Sequence, residues 1–353
     1  MKKTLAILLS LALLLGSLAG CQSGQKPNSS QGTSTPASDT TPPPEADPGP
    51  EEATINVIYH PTIGGSTAIA TAVTQGFFEE QNLKVNLQMY TSGPPEVAAM
   101  VAGQAEFGFI GSGAAWLAFS GQVDIIALDN IALTEQIIAR SDAGITTPAD
   151  LKGKTIAVQE GAAGYTLLLV ALQENGLSIN DVKVLNIAND NIPSTYNDAS
   201  IDAWAVWKPA ANSLAEALGD KGFVLADNQT YPEFAFPSTW IANKDYIKEH
   251  PDVTQRFVTA LTKAQLYRAE NPSQACAYAS TYAQQATNEL TAQLPDVIFP
   301  TGAEFKDYYN TDSFANMLGN LRATQADKVE GELAISDIYN DTFVKAAIGE
   351  LVG

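Results

Sequence analysis

Four short stretches of this 353-residue chain place glycine beside a hydroxyl or another small residue directly after an apolar run. The first is His60–Ser66, with Thr62, Gly65 and Ser66. The second is Ser92-Gly93, and the third is Gly111-Ser112-Gly113. The fourth is the bend Gln159–Gly164, with Gly161, Ala162 and Ala163 at its centre. Small residues let a ligand come close to backbone N–H groups. A helix that begins there adds unpaired N–H groups and the positive end of its dipole. The chemistry this favours is anion binding by backbone and hydroxyl donors. Ordinary turns and helix caps use the same residues, and the spacing matches neither the dinucleotide fingerprint nor a P-loop. The set therefore carries the reading, and no single loop does. Catalysis has little to work with. The histidines are His60 and His250, the cysteines Cys21 and Cys276, and no CxxC pair exists. No metal site, cofactor or catalytic group is expected.

Positioning such loops requires strands that all end at one edge. Thr54–Tyr59 alternates and is β-branched, so it reads as a strand. A helix capped by Ser66 or Thr67 follows. Strand and helix then alternate: Leu83–Tyr90, a helix through Val101, a buried strand to Ile110, a helix over Ala114–Phe119, and a strand over Val123–Leu128. Glu135–Ala139, Thr155–Val158, Val182–Ile187, Ile201–Trp207 and Phe223–Ala226 read as further strands. An apolar helix runs from Tyr165 towards Gly176, and another over Ala210–Leu218. Phe236–Ala242 is extended, and the pattern after Lys244 is helical. Short α/β alternation predicts a parallel sheet with ligands outside the carboxyl ends of its strands.

The amino terminus carries Lys2-Lys3 and an apolar run from Leu5 to Leu18, a secretory layout too short to span a bilayer. It ends in Leu18-Ala19-Gly20-Cys21, which resembles the lipobox of bacterial lipoproteins. That resemblance implies a signal peptide over residues 1–20 and a lipid anchor on Cys21. The Ser/Thr/Pro-rich stretch that follows, to residue 53, cannot build a core and reads as a tether with a reach of about 30 Å. Such a spacer suits a Gram-positive lipoprotein on the outer face of the cell membrane. The formal net charge is −20, and −22 once Lys2 and Lys3 leave with the leader. A body this acidic is a poor partner for nucleic acid and repels anions at long range, so an anionic ligand needs local help. Cys276 is left without a disulfide partner and reads as a buried core thiol.

The chain resembles the solute-binding lipoproteins of ABC importers that take up taurine, alkanesulfonates, nitrate and thiamine-precursor pyrimidines. The residues that carry this are Gly76-Phe77-Phe78-Glu79 with the Leu83 strand, Ser92-Gly-Pro-Pro95, Gly103-Gln104 and Phe107–Ser112. They continue with Asp150-Leu-Lys-Gly-Lys154 to Gly161, Asp202–Trp207 with Pro209, and Lys244–Val258 with its His250-Pro251. The resemblance implies an α/β, two-lobe periplasmic-binding-protein-like (type II) fold with two crossover strands and a helical C-terminal part. Lobe one would comprise residues 54–141 and 243–353, and lobe two residues 142–242. The crossovers would lie near Glu135–Ser141 and Ser238–Asn243.

Within that family the taurine-type members are most similar. Their pattern implies an acid at Glu135, an Asp at Asp202 and the Trp-x-Pro segment Trp207-Lys208-Pro209. A zwitterion would place its sulfonate on helix N-termini and hydroxyls and its ammonium on a carboxylate. Tyr165, Trp204, Trp207 and Trp240 would wall the pocket. Two departures stand out. The family's Tyr-Gln-Pro-like segment is Tyr59-His60-Pro61 here, which makes His60 a candidate ligand or hinge contact. Lys208 replaces a small neutral residue and points either to the anion or to solvent. The partners implied are a small anion or zwitterion and ABC permease subunits, with the membrane touched only through the lipid and the protein a monomer. A ligand-sensing lipoprotein fits the same sequence. An enzyme fits less well, because the histidine-consuming pyrimidine synthase of this fold would carry a cysteine-rich motif that is missing here.

Overall fold

The computed structural model describes residues 50–353; Cys21, the leader and most of the tether lie outside the described residues. The chain begins with β1 (Ala53–Tyr59), α1 (Ile63–Thr74), β2 (Leu83–Met89), α2 (Gly93–Val101), β3 (Phe107–Ile110), α3 (Ala115–Phe119) and β4 (Asp124–Ala132). It continues with β5 (Glu135–Arg140), β6 (Thr155–Val158), α4 (Ala163–Glu174), β7 (Lys183–Asn186), β8 (Ala203–Trp207), α5 (Ala210–Leu218) and β9 (Gly222–Asp227). β10 (Pro237–Ala242) leads into α6 (Lys244–Glu249), α7 (Pro251–Glu270), α8 (Pro272–Ala283) and α9 (Thr287–Ala292). The short β11 (Val297–Ile298) precedes α10 (Gly302–Asn310), α11 (Ser313–Thr324), α12 (Ile335–Ile338) and α13 (Thr342–Leu351).

Two sheets result. The first has the order β11-β4-β10-β3-β1-β2, and the second β7-β6-β8-β5-β9. The expected parallel pairing holds where a helix links the strands, in β2-β1-β3 and β7-β6-β8. It fails where the chain returns between sheets: β10 runs antiparallel to β3 and β4, and β5 antiparallel to β8 and β9. The chain passes between sheets at residues 133–134 and again over residues 228–236. The expected crossover strands Glu135–Ser141 and Ser238–Asn243 overlap β5 and β10, each inside one sheet, and their apolar centres, Ile137–Ala139 and Trp240–Ala242, are buried. β4 also runs four residues past the expected Leu128, because Asp129 and Asn130 are polar yet fully enclosed.

Each sheet has its own core. Phe107 stacks on Phe257 of α7 at 4.0 Å between ring centroids, with Phe109 and Trp240 edge-on beside them. Around the second sheet, Leu167, Leu168 and Ala171 of α4 pack with Ile137, Ile156 and Val158 on one face. Trp204, Ile138 and Leu214 pack on the other. Cys276 is a buried free thiol, pushed up by burial. Among the described residues no helix is long and apolar enough to cross a membrane.

Candidate functional site

The carboxyl ends of β1, β2, β3 and β6 open onto one cleft, together with the end of β8 and the start of β5. Pairing puts Glu135 opposite Trp207 and Ser238 opposite Asn130, so these four side chains reach the same edge. The cleft encloses roughly 570 Å³ including its open mouth, a size suited to a compact solute.

Three helices start at its wall, and they do not offer the same donors. Thr62 is the N-cap of α1, in place of the expected Ser66 or Thr67, and its Oγ1 accepts from Gly65 N at 3.1 Å. The N–H groups of Ile63 and Gly64 stay without intrahelical partners. α2 carries Pro94 and Pro95 in its first turn, so the Gly93 N–H and the Ser92 hydroxyl are its remaining donors. α4 has no side-chain cap, which leaves the N–H groups of Ala163 and Gly164 for a ligand. Gly113 brings the third loop against α4: a Cβ there would lie 1.9 Å from the carbonyl carbon of Ala162.

The opposite wall is acidic. Glu135 is 3 % exposed and accepts from Thr134 N and Oγ1, both at 3.2 Å, while its own N–H donates to Asn228 Oδ1 at 2.8 Å. Burial pushes its carboxyl above the usual range, and the bonds from Asn228 and Thr134 oppose that only in part. Among the described residues it makes no ion pair. Beside it, Asn130 donates its Nδ2 to Asp129 Oδ1 at 2.6 Å. Asp129 is held by Arg268 of α7 at 2.9 Å and by Trp240 Nε1 at 2.7 Å, in a network closed to solvent. The Asn130 amide lies flat against Gly64, where a Cβ would meet Nδ2 at 2.4 Å. On the donor side, His60 Nε2 lies 2.7 Å from Oε2 of the fully buried Glu96.

His60, Thr62, Ser92, Gly93, Gly111, Gly113, Glu135, Ala162, Ala163 and Trp207 all line the cleft. Other candidates lie outside it. Gly65 and Ser66 are one turn inside α1, where Ser66 Oγ donates to Thr62 O. Ser112 is buried beneath its loop, and its carbonyl accepts from Gln325. Gln159 bonds Asn189 N, and the Gly161 carbonyl accepts from Trp116 Nε1 at 3.1 Å. The Tyr165 hydroxyl faces Asp327 at 3.4 Å. Asp202 sits at the far end of its strand, where Oδ2 accepts from Thr155 N. Trp204 and Trp240 are core residues, bonded to Thr195 and Asp129. For Ser66, Tyr165, Trp204 and Trp240, helix phase or strand alternation turns the side chain away from the edge that the sequence assigns it. Lys208 pairs with Asp296 at 2.7 Å and does not line the cleft.

The cleft also holds residues that the sequence did not single out: Ile63, Gly64, Phe109, Asn130, Thr134, Ser238 and Val297. A polar pair, Asp129-Asn130, closing an apolar strand was the available signal for Asn130. Ser238 and Val297 reach the cleft only through long-range pairing. Among the described residues no group of three or more His, Cys, Asp or Glu side chains gathers to hold a metal ion.

Known proteins place this geometry. A Brucella abortus protein named as a binding protein is 32% identical over 220 residues, which cover 62% of this chain and 68% of that protein. The taurine-binding periplasmic protein of Escherichia coli is 29% identical over 201 residues, 56% of this chain and 61% of that one. The solved alkanesulfonate-binding protein SsuA from Xanthomonas axonopodis pv. citri, bound to MOPS, matches 83% of this chain and 100% of its own. It does so with a TM-score of 0.62 at 19% identity, a likeness of fold. The architecture is that of periplasmic binding proteins, mixed α/β in two sheets with a helical C-terminal part. The profile of the NMT1/THI5 like family matches residues 64–275, more than half of the chain, and the chain belongs to that family.

Proposed function

We propose that this protein is the extracytoplasmic solute-binding component of an ABC uptake system and holds a small sulfonate such as taurine, or a related anion or zwitterion, in the cleft between its two sheets. One observation carries the reading. Uncapped helix N-termini face a buried carboxylate, Glu135, that has no protein counter-ion among the described residues. The first wall suits a sulfonate and the second an ammonium group. The relatives named for taurine and alkanesulfonates support that class. Trp207 supplies an apolar wall for the short carbon chain. Two lobes closing about the residues between β4 and β5 and between β9 and β10 would exclude water, after which a permease would receive the solute. Lipidation of Cys21 would tether the body to the cell membrane as a monomer, through the Ser/Thr/Pro-rich stretch that follows it.

Thermal unfolding of the soluble body against taurine, short alkanesulfonates, nitrate, aminopyrimidines and amino acids tests the assignment. Taurine at a hundredfold excess over its Kd adds about 2.7 kcal/mol of stability. Glu135→Ala removes that gain for taurine and keeps it for ethanesulfonate, which has no amine. Equal loss for both, or stabilisation by nitrate alone, would displace the zwitterion reading.

A further inference from the structure

Among the residues lining the cleft, His60 is the one side chain able to carry positive charge. Its surroundings are set for a charge. Glu96, in the first turn of α2, is fully buried, with Oε2 2.7 Å from Nε2 of His60. The imidazole packs edge-on against Phe109 with centroids 5.4 Å apart, and its Cβ rests on Gly65 of α1. α1, α2 and β3 thus clamp the ring. Nε2 and both Glu96 oxygens are buried, and the two groups meet at contact distance without an aligned N–H···O bond. Nδ1 makes no protein hydrogen bond among the described residues and belongs to the ring edge away from Glu96.

We infer that His60 is a proton-coupled anion contact: when the anionic group of the solute enters, a proton moves from solvent to Nδ1, and the resulting imidazolium, held by Glu96, donates to that group. This deepens the sulfonate reading and rests on it. The balance is simple. On this proposal the empty pair holds one proton fewer than the loaded one. Loaded, it is imidazolium between two anions, Glu96 behind and the solute in front. Other charges facing this corner do not substitute for that step. Glu135 lies on the far wall, where it repels the anion. Asp129 and Arg268 neutralise each other behind Asn130. Burial pushes Glu96 above the usual carboxylate range, and contact with His60 works against that shift.

Because the charged form of His60 binds, affinity for ethanesulfonate, which has no amine to engage Glu135, is greatest at low pH and declines as pH rises. Calorimetric titration of taurine and of ethanesulfonate from about pH 5 to about pH 8, in buffers of different ionisation enthalpy, reads this directly. The expected result is uptake of up to about one proton per ligand at neutral pH. Affinity should drop by as much as about tenfold per pH unit above neutrality. His60→Gln, which keeps a polar side chain that does not titrate, should bind with little pH dependence and no uptake. Glu96→Gln should lower both the uptake and the affinity at acid pH. Ethanesulfonate that binds equally at every pH with no proton taken up overturns the proton step and leaves the sulfonate reading intact, as does pH dependence unchanged in His60→Gln. Failure of both sulfonates to bind at any pH overturns the two together.

Discussion

Glu135 is an acid held in the cleft without a base beside it, and that has a pH signature. Its folded carboxyl lies above the usual range because of burial, so the folded state keeps its proton to higher pH than the unfolded chain does. Ligand-free stability is therefore greater below that window and falls as pH rises through it. Glu135→Gln should flatten part of this fall and raise the midpoint of denaturant unfolding at about pH 8 more than at about pH 5. A slope remains from Glu96, whose shift has the same direction. A variant less stable than the parent at both values would mean that the carboxylate is already compensated. At this scale the sequence was readable where a residue type has one use. Ser92, Gly93, Gly113 and Glu135 reach the cleft as their types suggest. Trp204, Trp240 and Tyr165 do not, because an aromatic in an apolar strand or helix serves a core as readily as a pocket. Its direction depends on a pairing partner far along the chain.

At the level of elements, the cleft depends on how closely the Gly111–Gly113 loop approaches the start of α4. Any side chain at position 113 would collide with the backbone of Ala162. Gly113→Ala should thus keep the two walls apart, weaken ligand binding by about tenfold or more, and leave each sheet's own core intact. Small-angle scattering with saturating taurine, compared between variant and parent, checks this. A variant that compacts on ligand addition as the parent does would show that the approach is not needed. The elements themselves were largely legible from alternation and turn residues, because β1–α1–β2–α2–β3 and β6–α4 are local units. Sheet membership was less so. β5 and β10 carry the same apolar run whichever sheet they join, and only the order β4-β10-β3 decides it.

Across the whole molecule, the C-terminal part does more than cover the first sheet. Gln325, just past α11 and almost fully buried, donates Nε2 to Ser112 O at 3.0 Å, Gly113 O at 3.2 Å and Thr166 Oγ1 at 2.8 Å. Lys328 pairs with Glu160 at 3.1 Å, and Asp327 accepts from Tyr165. These contacts join the first sheet's loop to α4 on the second. Gln325→Ala leaves two buried carbonyls without their donor, a loss of about 1–3 kcal/mol that falls on the closed arrangement. Faster hydrogen exchange at the start of α4 and weaker taurine binding are expected, with β1–β4 unaffected. Exchange that stays unchanged there would rule out a role in holding the walls together. The acidic, Ala-rich tail gave little sign of this, since one glutamine among polar helical residues has no pattern of its own.

The position of β10 also governs the order in which the chain can assemble. The second sheet is built from one unbroken segment, residues 135–227, so all its strands are present together as soon as that segment is made. The first sheet has a gap between β3 and β4 that only Pro237–Ala242 fills, and β11 at its edge comes later still. During synthesis or export, the inserted half is thus equipped to mature first, while the half that holds β1 to β4 waits for a strand more than a hundred residues downstream of its neighbour, with the loop-closure entropy that such distant pairing demands.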